Sequence, residues 1–282
     1  MTLITMCQII YRSVVFFYYL YSLITKLRIM KDISKSILLL LLSVLVLTSC
    51  EPDNDPVIPI DNGDTSYFDP EVHHFIDVVV DYKNGRGVEP RKRYGLTKVY
   101  LDSSVTVSQK QILDDLIIEI NSIVDVSLLS FEYTNDINEF DIGIVFGEPT
   151  YMNEVFGTNT NPPSSWWGGT SIVADCHEMI KSYIWFDRDV ERLIKHEFLH
   201  ALGLRHADGG RSSIMFHNMN VAEDNMSEYD RSVLKLLYYD GDYGSVVEYI
   251  ADDCSDDDRY LYEDELEQTK EQIQNIIDNG YD

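Results

Sequence analysis

An α+β fold with a mixed sheet follows from three features of the chain. Residues 98–146 run strand, helix, strand, strand: Lys98-Val99-Tyr100-Leu101, an amphipathic stretch at 108–124, then apolar runs at 128–133 and 140–146. A helix between two strands of one sheet is the connection that a parallel pair requires, so this order lays an amphipathic helix against a sheet. A further strand, 182–186, leads directly into a second helix with its own apolar face. After an N-terminal leader and a tether to residue 70, about 210 residues remain, enough for one well-buried core.

Each element has its own signature. His73 and His74 stand before a short apolar run at 75–80 and read as polar residues at a strand edge, since adjacent side chains leave a strand on opposite faces. Arg91-Lys92-Arg93 reads as the solvated lead-in to strand 98–101, with proteolytic processing as the other reading. Ile112, Leu113, Leu116, Ile117, Ile120 and Ile123 recur at helical spacing and make 108–124 a backing helix. Residues 147–169 read as one long loop carrying Asn161-Pro162-Pro163 and Trp166-Trp167-Gly168-Gly169. The paired tryptophans either wall a cleft or plug the core. Strands follow at 171–174 and 182–186, and Asp189 is a suitable N-cap for the next helix. Ser227 and Asp230 fit a capping box opening a helix that carries Val233, Leu234, Leu236 and Leu237. Residues 258–277 read as a surface helix.

The chain holds 22 Lys+Arg against 48 Asp+Glu, a net charge of −26. Five basic residues (Arg12, Lys26, Arg28, Lys31, Lys35) and one acid (Asp32) lie in residues 1–49, leaving 17 basic and 47 acidic residues elsewhere. That balance excludes a nucleic-acid partner, whose phosphates need a basic surface. Met30-Lys31, the apolar run 37–47 and Leu47-Thr48-Ser49-Cys50 read as the charged, apolar and cleavage regions of an export signal, too short to span a bilayer as a helix. The last four residues resemble the lipobox of bacterial lipoproteins, which implies that Cys50 carries a lipid. Residues 1–29 are either a real extension or sequence upstream of a start at Met30. The expected organisation is export segment 1–49, lipidated Cys50 with a flexible acidic tether to residue 70, a folded domain 71–240, and an acidic extension 241–282 with a helix. Beyond Cys50 only Cys176 and Cys254 remain, as one disulfide or as two buried thiols. Asp252-Asp253-Cys254-Ser255-Asp256-Asp257-Asp258 lacks the spacing and glycine of an EF-hand, so structural Ca²⁺ is unsupported and a solvated acidic turn is expected.

The chemistry concentrates in His196-Glu197-Phe198-Leu199-His200-Ala201-Leu202-Gly203-Leu204-Arg205-His206. On a helix, His196 and His200 leave the same face, one turn apart. Glu197 lies about 100° further round and faces the same cleft. Phe198, Leu199, Ala201 and Leu202 form the apolar side. Gly203 stops the helix in a left-handed conformation, so the chain doubles back and presents His206 to the same point. Three imidazoles with one position left for water make an open zinc site.

This HExxHxxGxxH pattern resembles the zinc signature of the metzincin metallopeptidases. Ser213-Ile214-Met215, nine residues past His206 at Met215, is similar to that family's Met-turn. The short separation is matrixin-like; Ser-Ile-Met is astacin-like. The resemblance implies a zincin-like fold: a twisted mixed sheet, a backing helix, an active-site helix, and a small C-terminal subdomain with the Met-turn and a closing helix. It implies one catalytic Zn²⁺ on His196, His200 and His206, Glu197 as general base, Met215 as an apolar floor under the rings, and an edge strand that binds substrate backbone. Two departures stand out. Ala207 follows the third histidine and matches no subfamily, and His217 stands where astacins carry a tyrosine, as a transition-state aid or as plain turn structure. The function implied is a monomeric zinc endopeptidase acting on peptides or proteins, lipid-anchored at the bacterial cell envelope. The alternatives are a relict binding or adhesion lipoprotein, and a zinc hydrolase of a non-peptide amide.

Overall fold

A computed structural model describes residues 68–82, 87–88, 90–162, 166–175, 178–207, 212–218, 222–240, 260–261 and 263–280. Cys50, Cys176, Cys254, the leader, the tether up to residue 67 and the 252–258 acidic run lie outside the described residues. Among the described residues no helix is long and apolar enough to cross a membrane.

The fold is α+β. Helix α1 (Pro70–Phe75) continues into a π-helical turn, Ile76–Val80. Strand β1 (Gly87–Val88) and strand β2 (Gly95–Leu101) follow, then helix α2 (Val107–Ile123), β3 (Leu129–Thr134), β4 (Ile142–Phe146) and helix α3 (Pro149–Phe156). The chain continues as β5 (Gly168–Asp175), β6 (Glu178–Phe186), α4 (Glu191–His200), α5 (Glu228–Leu237), β7 (Tyr260–Leu261) and α6 (Glu263–Gly280). Among the described residues the main sheet has five strands in the order β3-β2-β4-β6-β5, parallel throughout except for β5, which runs antiparallel to β6 and forms one edge.

Alternation along the central strands gives each face of the sheet its own core. Ile142, Ile144, Ile184 and Phe186 face the large core with Leu113, Leu116 and Ile120 of α2 and Ile194 and Phe198 of α4. Val145 and Trp185 face the other way, onto Met152 of α3. Helix α2 starts at a complete capping box, in which Thr106 and Gln109 satisfy each other's backbone N–H groups.

Four expectations are corrected. Residues 75–80 are helical, not a strand: Pro70 fixes the first turn, and a run buried at every position but Asp77 carries no alternation to separate the two states. The 147–169 loop contains α3, begun by Pro149 and ended by Gly157 at φ 67°. Val190, not Asp189, occupies the α4 N-cap position, with no side-chain cap. Lys92 and Arg93 are buried rather than solvated. Arg93 donates from Nε to Ala201 O (2.8 Å), from Nη1 to Met179 O (3.1 Å) and from Nη2 to Ser182 Oγ (2.5 Å). It thereby ties the end of α4 to β6, and burial lowers its pKa to about 10.

Helix α6 is more than a surface element. Leu266, Ile273 and Ile276 enter the large core, and Gln274 both donates to Asp69 Oδ2 (2.7 Å) and accepts from Asp69 N (2.8 Å).

Candidate metal centre and cleft

Helix α4 positions the site because one of its faces is nailed into the core. Phe198, Leu199, Ala201 and Leu202 are fully buried, and Phe198 packs on Phe131 of β3 with ring centroids 5.7 Å apart. The helix then ends in a Schellman turn: Leu204 N donates to Leu199 O and Gly203 N to His200 O. Gly203 has φ 111°, and a Cβ there would lie 2.0 Å from Arg91 O. Only glycine fits, and the reversal it permits carries His206 back beside His196 and His200.

The three imidazoles meet. Nε2 of His200 lies 3.0 Å from Nε2 of His196 and 3.2 Å from Nε2 of His206. These three side chains form a group able to hold a metal ion. Their tautomers can be assigned from the backbone. His196 Nδ1 is 2.7 Å from Ile214 O, and His200 Nδ1 is 2.6 Å from Leu204 O. A carbonyl only accepts, so both Nδ1 atoms carry the proton and both Nε2 atoms turn a lone pair inward. Lone pairs that close repel unless a cation lies between them. Tetrahedral coordination with metal–nitrogen bonds of about 2.0–2.1 Å separates ligand nitrogens by roughly 3.3 Å, close to what is seen. Burial lowers the pKa of His196, and burial followed by the two neighbouring imidazoles takes that of His200 well below the usual range, so both rings are neutral, as metal binding requires.

Glu197 is buried beside them, and Thr170 Oγ1 lies 2.8 Å from both its Oε2 and its carbonyl oxygen. Burial raises the Glu197 carboxyl to about 7, with the Thr170 hydrogen bond opposing the shift. Met215 is fully buried; its N–H donates to Ser213 Oγ (2.9 Å), and its carbonyl accepts from Ala207 N (2.8 Å), the residue after His206. The His217 ring lies 4.8 Å from that of His206, nearly perpendicular to it.

A cavity of about 820 Å³ opens over this group. Trp166 and Trp167, 48% and 37% exposed, wall one end with Leu193. They line the cleft rather than plugging the core, and Arg188 stacks over the Trp167 ring at 3.9 Å. Thr170 and Ile172 of β5 form one flank, and Asp81, Arg91 and Arg205 lie at the other end.

Reasoning from sequence missed the residue that organises the support beneath the site. Asp230 is fully buried and accepts from Ser213 Oγ (2.5 Å), Ile214 N (3.1 Å), Ser227 N (2.9 Å), Ser227 Oγ (2.8 Å) and His74 Nε2 (3.2 Å). Burial alone would raise its pKa, but these donors together hold it below the ordinary carboxylate value. The capping box at Ser227 and Asp230 was legible; that the same carboxylate grips the 213–215 turn, whose Ile214 carbonyl orients His196, was not. Thr170 and Arg93 carried no signal in the sequence. No protein-family model matches this chain, and no curated protein is significantly similar to it; what the site can do follows from its own geometry.

Proposed function

We propose that this chain is a zinc-dependent endopeptidase with a zincin-like, metzincin-type site. The observation that carries the reading is the convergence of three Nε2 lone pairs beside a buried carboxylate, in a cleft flanked by an edge strand. The donor set, three neutral imidazoles, suits zinc. When bound, zinc supplies Lewis acidity toward a water and a substrate carbonyl. The chain does the rest. Glu197 takes the proton of the attacking water and returns it to the leaving amine. Thr170 fixes the carboxylate for that transfer. The outer edge of β5 offers backbone donors and acceptors to an extended peptide, which can join the sheet as a further strand. His217 stands near enough to His206 to aid an oxyanion in the cleft. The signal-like segment ending at Cys50 supports delivery to the cell envelope on a lipid anchor.

The test is Glu197→Gln. The variant should bind zinc as the parent does and lose about 10²-fold to 10⁴-fold or more in cleavage of an unfolded protein, the range expected for a lost general base. Cleavage by the parent should stop with a zinc chelator. A variant that cleaves at the parental rate overturns the reading, and a parent that cleaves no unfolded protein removes the peptidase assignment.

A further inference from the structure

We propose that Arg205 is a carboxylate-binding residue of the cleft, selecting ligands that present a carboxylate on the His200–His206 side of the site. The inference rests on the peptidase reading above for its substrate class. Arg205 lines the cavity and is partly buried. Its backbone is held on both sides, by the Schellman turn before it and by its own N–H donating to Val78 O. The guanidinium therefore projects from a fixed point.

Among the described residues that guanidinium makes no hydrogen bond or ion pair. Three other arginines are engaged elsewhere. Arg93 is spent on Ala201, Met179 and Ser182, Arg192 on Ala222 and Asp224, and Arg188 stacks on Trp167. In a chain with 48 acidic residues against 22 basic ones, an arginine beside a metal-binding group and short of an acceptor is out of place unless a ligand supplies one. Among the described residues, the charges that act on it are those of Asp81 and Arg91, which line the same cavity.

Guanidinium binds carboxylate through two parallel N–H···O bonds, and that geometry distinguishes it from an amide of the same shape. Such a carboxylate has two sources in a peptide: an Asp or Glu side chain, or the chain's own C-terminus. Its place relative to the reacting bond is bounded. Helix α4 is about 15 Å long at 1.5 Å per residue, with Trp166, Trp167 and Leu193 at its start and Arg205 just past its end. An extended peptide advances about 3.3 Å per residue, so the carboxylate falls within a few residues of the bond, with an apolar side chain favoured on the tryptophan side.

The experiment uses the full, zinc-loaded chain carrying Glu197→Gln, so that ligands are bound and not consumed. The probes are N-acetylated octapeptides with a central Phe: C-terminal amides with Glu or Gln scanned through the remaining positions, and the all-Gln peptide as a free acid. Binding is read by tryptophan fluorescence. Either one Glu register or the free acid should bind roughly tenfold or more tightly than the neutral amide, the size expected for a charge-assisted pair. The winning peptide identifies the source. The preference should vanish with Arg205→Ala and survive in part with Arg205→Lys, both variants melting as the parent does. Equal binding of all probes, or a preference unchanged by Arg205→Ala, overturns the proposal. If wild-type chain cleaves nothing while the Arg205-dependent preference persists, the peptidase reading fails and this one stands.

Discussion

The single hydroxyl of Thr170 decides where the Glu197 carboxylate points. It is the only side chain in hydrogen-bond contact with that carboxylate among the described residues, at 2.8 Å. Replacing it with Val keeps shape and removes the donor. Thr170→Val should lower kcat about tenfold with KM little changed, while Thr170→Ser restores most of it; steady-state kinetics on a defined peptide checks this. Arg93 carries a different burden. It is buried and satisfies carbonyls at the end of α4 and in β6, so Arg93→Ala leaves those acceptors without donors. Urea unfolding should show a loss of about 3 kcal/mol, several stranded contacts' worth. Neither residue could be read from the sequence, because each acts across a long stretch of chain: Thr170 on a helix that starts 21 residues later, Arg93 on one that ends 107 residues later.

Among the elements, the turn after α4 is the one with least freedom. Gly203→Ala would place a Cβ against Arg91 O at a φ that alanine resists, so a loss of at least about 2 kcal/mol is expected, together with weakened metal binding as His206 is displaced. Isothermal titration with zinc reads the second effect. The junction between α5 and the 213–215 turn depends on Asp230. Its folded pKa is depressed, so its contribution is fully present above the ordinary carboxylate value of 3.8 and is lost as pH falls through the lower folded value. Asp230→Asn should cost about 2 kcal/mol at pH 7 and should flatten the acid limb of the stability curve below pH 4; parental behaviour there would contradict the hub role. Elements with strong local codes were legible: α2 from its 3.6-residue apolar spacing, α5 from its capping box, β2 and β4 from apolar runs. The π-helical turn at Ile76–Val80 was not, since five apolar residues broken only by Asp77 fit a strand and a buried helix equally.

For the molecule as a whole, the three-histidine group and the fold support each other. His196, His200 and His206 come from one local segment, but their tautomers are set by Ile214 and Leu204 carbonyls, and Ile214 is held in turn by Asp230, which also binds His74 from the other end of the domain. The ligand spacing was therefore visible in the sequence, while the scaffold that orients it was not, because its contacts join segments from 16 to 156 residues apart. A site formed only in the folded state stabilises that state when filled. Zinc at a thousandfold excess over its dissociation constant should add about 4 kcal/mol and raise the melting temperature by roughly 10 °C, an increase that a chelator reverses.

The central claim is that three imidazole nitrogens share one ion with a position left for solvent. X-ray absorption at the zinc edge on the full chain loaded with one equivalent of zinc tests it most directly. Three nitrogen scatterers of imidazole type at about 2.0–2.1 Å with one additional oxygen is the predicted result, reduced to two imidazoles by His206→Ala. A sulfur ligand, or an imidazole count that His206→Ala leaves unchanged, would contradict it.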